Sequence, residues 1–171
     1  MTPVLELVPI PTDVLRRLAR WDLSAASSAM GLTMPPSTLD MQWVWNAFAV
    51  RAEADPENAF WYTQYFAVED GRVVADVRMH APPDGTGMVS IGYQVEPIER
   101  RRGVAVVATR LLLDVAAARP EVRRVVALVA PTNRASLAVC GRLGFTDVGE
   151  QLHQHSGTMM RRLELATVGA R

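Results

Sequence analysis

Three consecutive arginines, Arg100, Arg101 and Arg102, run directly into Gly103, Val104 and Ala105, with Glu99 in front. These residue types in this order suit the capture of an anion. An apolar stripe begins just after Gly103, so the run lies at the start of a predicted helix. Several backbone N–H groups lack an intrahelical acceptor there, and the aligned peptide dipoles place about half a positive charge at that end. Gly103 and Ala105 are too small to keep a phosphate off the backbone, and guanidinium forks match phosphate oxygens. A solvated charged turn would carry the same residues, so the surrounding elements must decide between the two.

A second block, Pro131-Thr132-Asn133-Arg134-Ala135-Ser136, opens another predicted helix, and Arg142-Leu143-Gly144-Phe145 closes it. Asn133 suits the N-cap and Gly144 the C-terminal stop. Groups able to move a proton are sparse. Ser136 stands one helical turn before Cys140, Tyr93 lies on a strand, and Glu96 lies where that strand meets the arginine loop. His153 and His155 flank the last hairpin. Cys140 reads as a small buried hydrophobe, because the sequence places no histidine beside it. As the lone cysteine it also excludes an internal disulfide, and no metal site is expected.

The elements that must position these residues follow from periodicity. Leu5 to Val8 is a short strand. Thr12 or Asp13 caps a helix with Val14, Leu15, Leu18 and Trp21 at helical spacing, and Ser24 to Pro36 reads as a loop. A second helix runs from Leu39 or Asp40 to about Ala54, where Asp55-Pro56 ends it. Residues 60–68 form a strand, Asp70-Gly71 a turn, and Val73 to His80 the returning strand. Val89, Ile91, Tyr93 and Val95 share one face of the next strand, with Ser90, Gly92 and Gln94 on the other. Val104, Val107, Ala108, Leu111, Leu112, Val115 and Ala116 make one helical stripe, and Pro120 terminates it. Val125 to Val129 is an apolar strand covered on both faces, Ala135 to Leu143 a short helix, and a final hairpin turns at Ser156-Gly157. No repeat or interdomain linker interrupts the chain.

Arg100-x-x-Gly103-x-Ala105 resembles the Gln/Arg-x-x-Gly-x-Gly/Ala pyrophosphate loop of the GNAT N-acetyltransferase superfamily. The Asn133-x-x-Ser136 and Arg142-Leu143-Gly144-Phe145 block is similar to that superfamily's Asn-x-x-Ser…Lys/Arg-Leu-Gly-Phe segment, above all in its RimJ/RimL-like branch, as is Ile91-Gly92-Tyr93. The likeness covers residues 60–165 well and the first 55 poorly. It implies a mixed α/β fold of the GNAT acyl-CoA N-acyltransferase type, with a central, mostly antiparallel sheet flanked by helices, in a single domain over 1–171. It further implies acetyl-CoA as cosubstrate. Val95, Arg100, Arg101, Arg102, Gly103, Val104 and Ala105 would hold the pantetheine and pyrophosphate, Asn133 the cofactor arm, and Arg142 a phosphate. The N-terminal helices, with Trp21, Met30, Met34, Trp43 and Trp45, would wall the acceptor side.

The acid/base pattern departs from the superfamily. Its usual tyrosine is Cys140 here, the glutamate of the preceding strand is Leu128, and the central strand offers Val89 and Ile91. Ser136, Tyr93 and Glu96 are the substitute catalytic candidates. A thioester is already activated, so the site must mainly present a neutral amine and stabilise the oxyanion. Deprotonating a lysine near neutral pH costs about 4 kcal/mol, against roughly 1 kcal/mol for an α-amine. A site without a strong base therefore suits a peptide N-terminus, an amino sugar, an amino acid or another small amine. The alternative is an acyl-CoA-binding sensor that has lost turnover.

Composition bounds the remaining classes. The 171 residues are 49% hydrophobic, enough to bury about 70% of the unfolded surface. Formal net charge is zero, with all 18 basic residues arginine, which argues against nucleic acid or an anionic membrane as partner. The N-terminal sequence has no basic start followed by an apolar stretch and cleavage site, so a cytoplasmic location is expected. The exposed final strands are compatible with a homodimer.

Overall fold

The computed structural model describes residues 3–153 and 156–167. Seven strands form one sheet: β1 (Glu6–Pro9), β2 (Gln64–Glu69), β3 (Arg72–Met79), β4 (Met88–Val95), β5 (Arg124–Val129), β6 (Thr146–His153) and β7 (Thr158–Ala166). Their spatial order is β1-β2-β3-β4-β5-β7-β6, and only the β4–β5 pairing is parallel. Five α-helices accompany them: α1 (Thr12–Ala19), α2 (Leu23–Met30), α3 (Gln42–Ala54), α4 (Val104–Ala117) and α5 (Arg134–Leu143). The mixed, mostly antiparallel sheet and the crossover through the Gly103 helix are those expected from the sequence.

Each face of the sheet has its own core. Helices α4 and α5 cover one face, where Val104, Ala108, Leu112 and Ala116 pack on Ala75, Val77, Met79, Ile91 and Val125. Helices α1, α2 and α3 cover the other, around Leu15, Leu18, Trp45, Phe48, Phe66 and Val68. Burial of this kind contributes about 1.5–3 kcal/mol for each large apolar side chain, and it is what clamps the sheet between its helices.

Four expectations are corrected here, the first being that Thr12 or Asp13 caps α1: Pro11 stands at the cap, with no side-chain cap bond. The stretch Ser24 to Pro36 is not all loop: Asp22 caps α2 by accepting from the Ala25 N–H at 3.0 Å, and Gly31 ends it in the left-handed region at φ 65°. Such capping overrides the weak helix preference of its serines. Residues 60–62 belong to a 3₁₀ segment, Pro56–Tyr62, held by hydrogen bonds from Asn58 and Tyr62 to Asp55, so β2 starts only at Gln64. Trp21 is not on the buried stripe. The helix has already ended, Trp21 sits at φ 64°, and its side chain is 62% exposed, as is Trp43 at 68%. Met34 and Trp45 are buried and Met30 partly so.

Candidate active site

Strands β4 and β5 pair over only three positions, Met88–Ser90 against Arg124–Val126. Beyond these, β4 stays paired to β3 as far as Val95, and β5 stays paired to β7 as far as Val129. The two strands therefore part within the sheet. In the antiparallel β3–β4 ladder, Ser90 and Glu96 are in hydrogen-bonded pairs with His80 and Val74. The alternation then turns the backbone groups of Tyr93 and Val95 away from β3 and into the gap. A crevice of about 300 Å³ opens there, lined by Arg78, His80, Gly92 and Tyr93 toward β3, and by Asn133, Ser136 and Cys140 on α5. The buried hydroxyl of Thr109 on α4 also lines it and has no hydrogen-bond partner among the described residues.

The arginine run forms the turn that leads from β4 into α4. Arg101 has φ 64° and Gly103 φ 85°, so the backbone twice enters the left-handed region just before the helix. A Cβ on Gly103 would meet nothing within 4 Å. Glycine is thus set by the backbone conformation and not by crowding. The amides of Gly103, Val104 and Ala105 donate to no acceptor among the described residues, which leaves them at the positive end of a fourteen-residue helix. Such a cluster of free N–H groups is suited to phosphate oxygens.

The three arginines have different surroundings. Arg102 is engaged by Glu99 and by Glu69, the latter at 2.9 and 3.1 Å, and Arg72 reaches the same buried Glu99 at 2.9 Å. These ion pairs stake the turn to the ends of β2 and β3. Arg100 Nε donates to the Val95 carbonyl at 3.2 Å, and Arg101 is exposed. Asn133 caps α5 by accepting from the Ser136 N–H at 3.1 Å and also lines the crevice. Arg142 is exposed in the last turn of α5 and does not line the crevice.

Of the three proton-transfer candidates, two come together. Tyr93 donates its hydroxyl hydrogen to Ser136 Oγ at 3.0 Å, joining β4 to α5 across the crevice. Burial holds the phenol above its ordinary pKa, so it stays protonated, while the bond to Ser136 pulls the other way. Glu96 lies elsewhere: its carboxylate is buried, is absent from the crevice wall, and accepts from the hydroxyls of Ser37 and of Thr38, the latter at 3.3 Å. Burial raises its pKa. Cys140 is buried beside Tyr93, and desolvation pushes its thiol up to about 11. His153 bonds Ser156 at 2.9 Å, and His155 lies outside the described residues.

Sequence reading missed a polar belt on the face opposite Tyr93. Asp76 and Arg78 of β3, and His80 just past it, stand across from Gln94, Gly92 and Ser90 of β4. Arg78 pairs with the buried Asp76, whose pKa burial raises to about 6 against the pull of Arg78. Burial and the charges of Arg78 and Arg51 bring the His80 imidazole down to about 4. The alternation of Asp76, Arg78 and His80 was visible in the sequence, but the partner strand beside which Arg78 and His80 wall the crevice was not. Among the described residues no cluster of three or more His, Cys, Asp or Glu side chains could hold a metal, and no helix is long and apolar enough to cross a membrane.

Comparison with known proteins agrees with this geometry. The chain is similar in fold to RimL, a ribosomal L7/L12 α-N-protein acetyltransferase solved with coenzyme A, at 16% identity and a TM-score of 0.70, covering 97% of this chain and 96% of that one. Mycobacterium smegmatis RimJ with CoA-disulfide gives 18% identity and 0.67, over 96% and 83% of the two chains. The aminoglycoside acetyltransferase AAC(6')-Ib with coenzyme A and kanamycin gives 14% and 0.66, over 95% of each chain. No curated protein matches the sequence. The profile of the acetyltransferase (GNAT) domain, however, matches residues 5–146, which takes in everything from β1 to the start of β6, and by that match the chain belongs to the GNAT acetyltransferase family.

Proposed function

We propose that this chain moves an acetyl group from acetyl-CoA to a primary amine of low pKa, such as a peptide N-terminus, an amino sugar, an amino acid or another small amine. The observation that carries this reading is the opening between β4 and β5 with the Tyr93–Ser136 pair inside it; the free amides of Gly103, Val104 and Ala105 at the head of α4 support it as a separate feature. The relatives of the same fold include proteins solved with coenzyme A, which supports the choice of donor. The first turn of α4 would take the pyrophosphate. The inward-facing backbone of Tyr93 and Val95, the amide of Asn133 and the unpartnered Thr109 hydroxyl offer hydrogen bonds to an extended polar arm.

The amine nitrogen attacks the thioester carbonyl directly; a C–N bond forms, the C–S bond breaks, and the proton given up by nitrogen ends on the departing sulfur. Tyr93, by donating to Ser136 Oγ, leaves the Ser136 hydroxyl hydrogen free to be passed to that sulfur, and Ser136 Oγ takes up in its place the proton given up by the nitrogen, the net transfer being from nitrogen to sulfur. A thiol kept protonated by burial is a poor nucleophile, so Cys140 forms no acetyl-enzyme. Free-thiol release measured against a panel of amines tests the reading. With an α-amine or amino sugar, kcat/KM should level off near pH ~8, just above the pKa of such amines, and a lysine side chain should react poorly. Acetyl-CoA binding without thiol release from any amine would instead mark the chain as a sensor.

A further inference from the structure

The imidazole of His80 is the least explained polar group of the crevice. It stands just past β3, on the face of the sheet covered by α3, where its ring packs 6.4 Å from that of Phe48. One nitrogen is committed: Nδ1 lies 3.1 Å from Ser90 Oγ. The other, Nε2, has no hydrogen-bond partner among the described residues and hangs over Gly92. A Cβ at that position would come within 2.8 Å of Nε2 and 3.4 Å of Arg78 Nε. Gly92 is therefore small for a reason of space: with any larger residue the ring could not lie across β4 at the edge of the gap. The next residue, Tyr93, reaches Ser136 on the opposite face. Two successive positions of one strand thus present a free imidazole nitrogen on one side of the opening and a hydroxyl pair on the other.

Resting on the acetyl-transfer reading above, we propose that His80 is the residue that positions the acceptor: its Nε2 accepts one N–H of the amine and so turns the nitrogen lone pair toward the gap between β4 and β5. For this the ring must be the neutral tautomer with hydrogen on Nδ1, donated to Ser90 Oγ. The neighbouring guanidinium of Arg78 enforces that choice, since a cation beside Nε2 favours a lone pair there over an N–H. The charged or titratable groups facing the ring are Arg78 on β3, Arg51 on α3, whose Nη1 donates to the His80 carbonyl at 3.2 Å, and His153 on β6. All are basic, and all oppose a proton on the ring. His80 is thus a fixed acceptor and not a reservoir for the proton.

Two amide replacements separate the ring's atoms. Gln places its polar end where Nε2 was, whereas Asn can keep only the bond to Ser90. In steady-state kinetics with an α-amine acceptor, His80→Ala and His80→Asn should each lower kcat/KM by about tenfold, chiefly through a higher KM for the amine, and His80→Gln should recover most of it. The acidic limb of the pH profile should follow the acceptor's own pKa in wild type and Gln variant alike. Circular dichroism and thermal melts of each variant provide the folding control. Nitrogen NMR of histidine-labelled protein should show the Nδ1–H tautomer. Equal activity of the Ala, Asn and Gln variants, or a proton on Nε2, would overturn the assignment while leaving acetyl transfer standing. Thiol release from no amine by the wild-type protein would overturn both.

Discussion

The two faces of the sheet meet at the same crevice but are built on different plans. On the α4–α5 side, the wall is mostly apolar around the Tyr93–Ser136 pair, Thr109 and Asn133, and the turn proposed to hold an anion is a local product of consecutive residues, Arg100 to Ala105. On the α1–α3 side lies a belt of mostly polar residues, His80 across from Ser90, Arg78 from Gly92 and Asp76 from Gln94, defined only by strand register, of which His80, Arg78 and Gly92 line the crevice. The difference indicates where specificity resides. A backbone turn at a helix terminus can hold one kind of anion and little else, whereas a register-built belt changes with every side chain. On the proposed function, the donor end of the site is built from a local turn and the acceptor end from side chains brought together by strand register.

The sharpest way to break that contrast is at Gly103. Replacing it with Glu puts a negative charge at the head of α4 and a side chain on a residue at φ 85°, which costs about 1–2 kcal/mol of backbone strain. Acetyl-CoA affinity measured by calorimetry should fall by roughly a hundredfold or more, since a like charge at an anion site costs several kcal/mol. Gly103→Asn tolerates the left-handed conformation and is neutral, so it should lose far less. Similar losses for the two would show that strain, and not the anion site, governs binding.

The hydroxyl pair comes next. Ser136→Ala should lower kcat by about tenfold to a hundredfold, the lower range of general-acid effects, and Cys140→Ala should retain most activity. The reverse order, in folded variants that still bind acetyl-CoA, would assign the acid to the thiol.

The acceptor belt makes a prediction about pH. His80 has its folded pKa lowered to about 4, below the ordinary histidine value, so the native state takes up its proton later than the unfolded chain does. The stability it confers is complete above pH ~6.5 and is lost as pH falls toward ~4, a change of at most about 3 kcal/mol. Asp76, raised to about 6, acts in the opposite sense, favouring the native state toward the acidic end of its window. The difference between wild type and His80→Gln in urea melts at pH 4.5 and 7 isolates the histidine. The variant should lose less stability on acidification, and parallel behaviour would mean the ring is solvated.

The smallest effect is expected at Arg142, exposed and away from the crevice wall. Arg142→Gln should change the KM for acetyl-CoA by less than about threefold, because an exposed charge is screened. A larger rise would bring the C-terminal end of α5 into the donor site.

Local chemistry was legible in the residues themselves. The stripe of α4, the Gly103 turn, the Asn133 cap with Gly144 as its partner stop, and the faces of β4 follow from periods of 3.6 and 2 and from residues that only certain backbone angles accept. Helix α2 was hidden because its Ser- and Ala-rich sequence forms a helix only with Asp22 and Gly31 capping it against a neighbouring core. The N-terminal tryptophans showed the limit of composition: Trp45 is core, Trp43 is surface, and nothing in the residue type separates them.

What the sequence determined by itself was the left-handed turn at Gly103 and the framework of elements, since both depend on contacts a few residues long. Only the tertiary structure decided that Tyr93 finds Ser136 forty-three residues away, that Glu96 turns aside to Ser37 and Thr38, and that His80 lies over Gly92. Those pairings are set by the β3–β4 register and by how far β4 and β5 part, which depend on the packing of both helical layers at once. No stretch of chain carries that information alone.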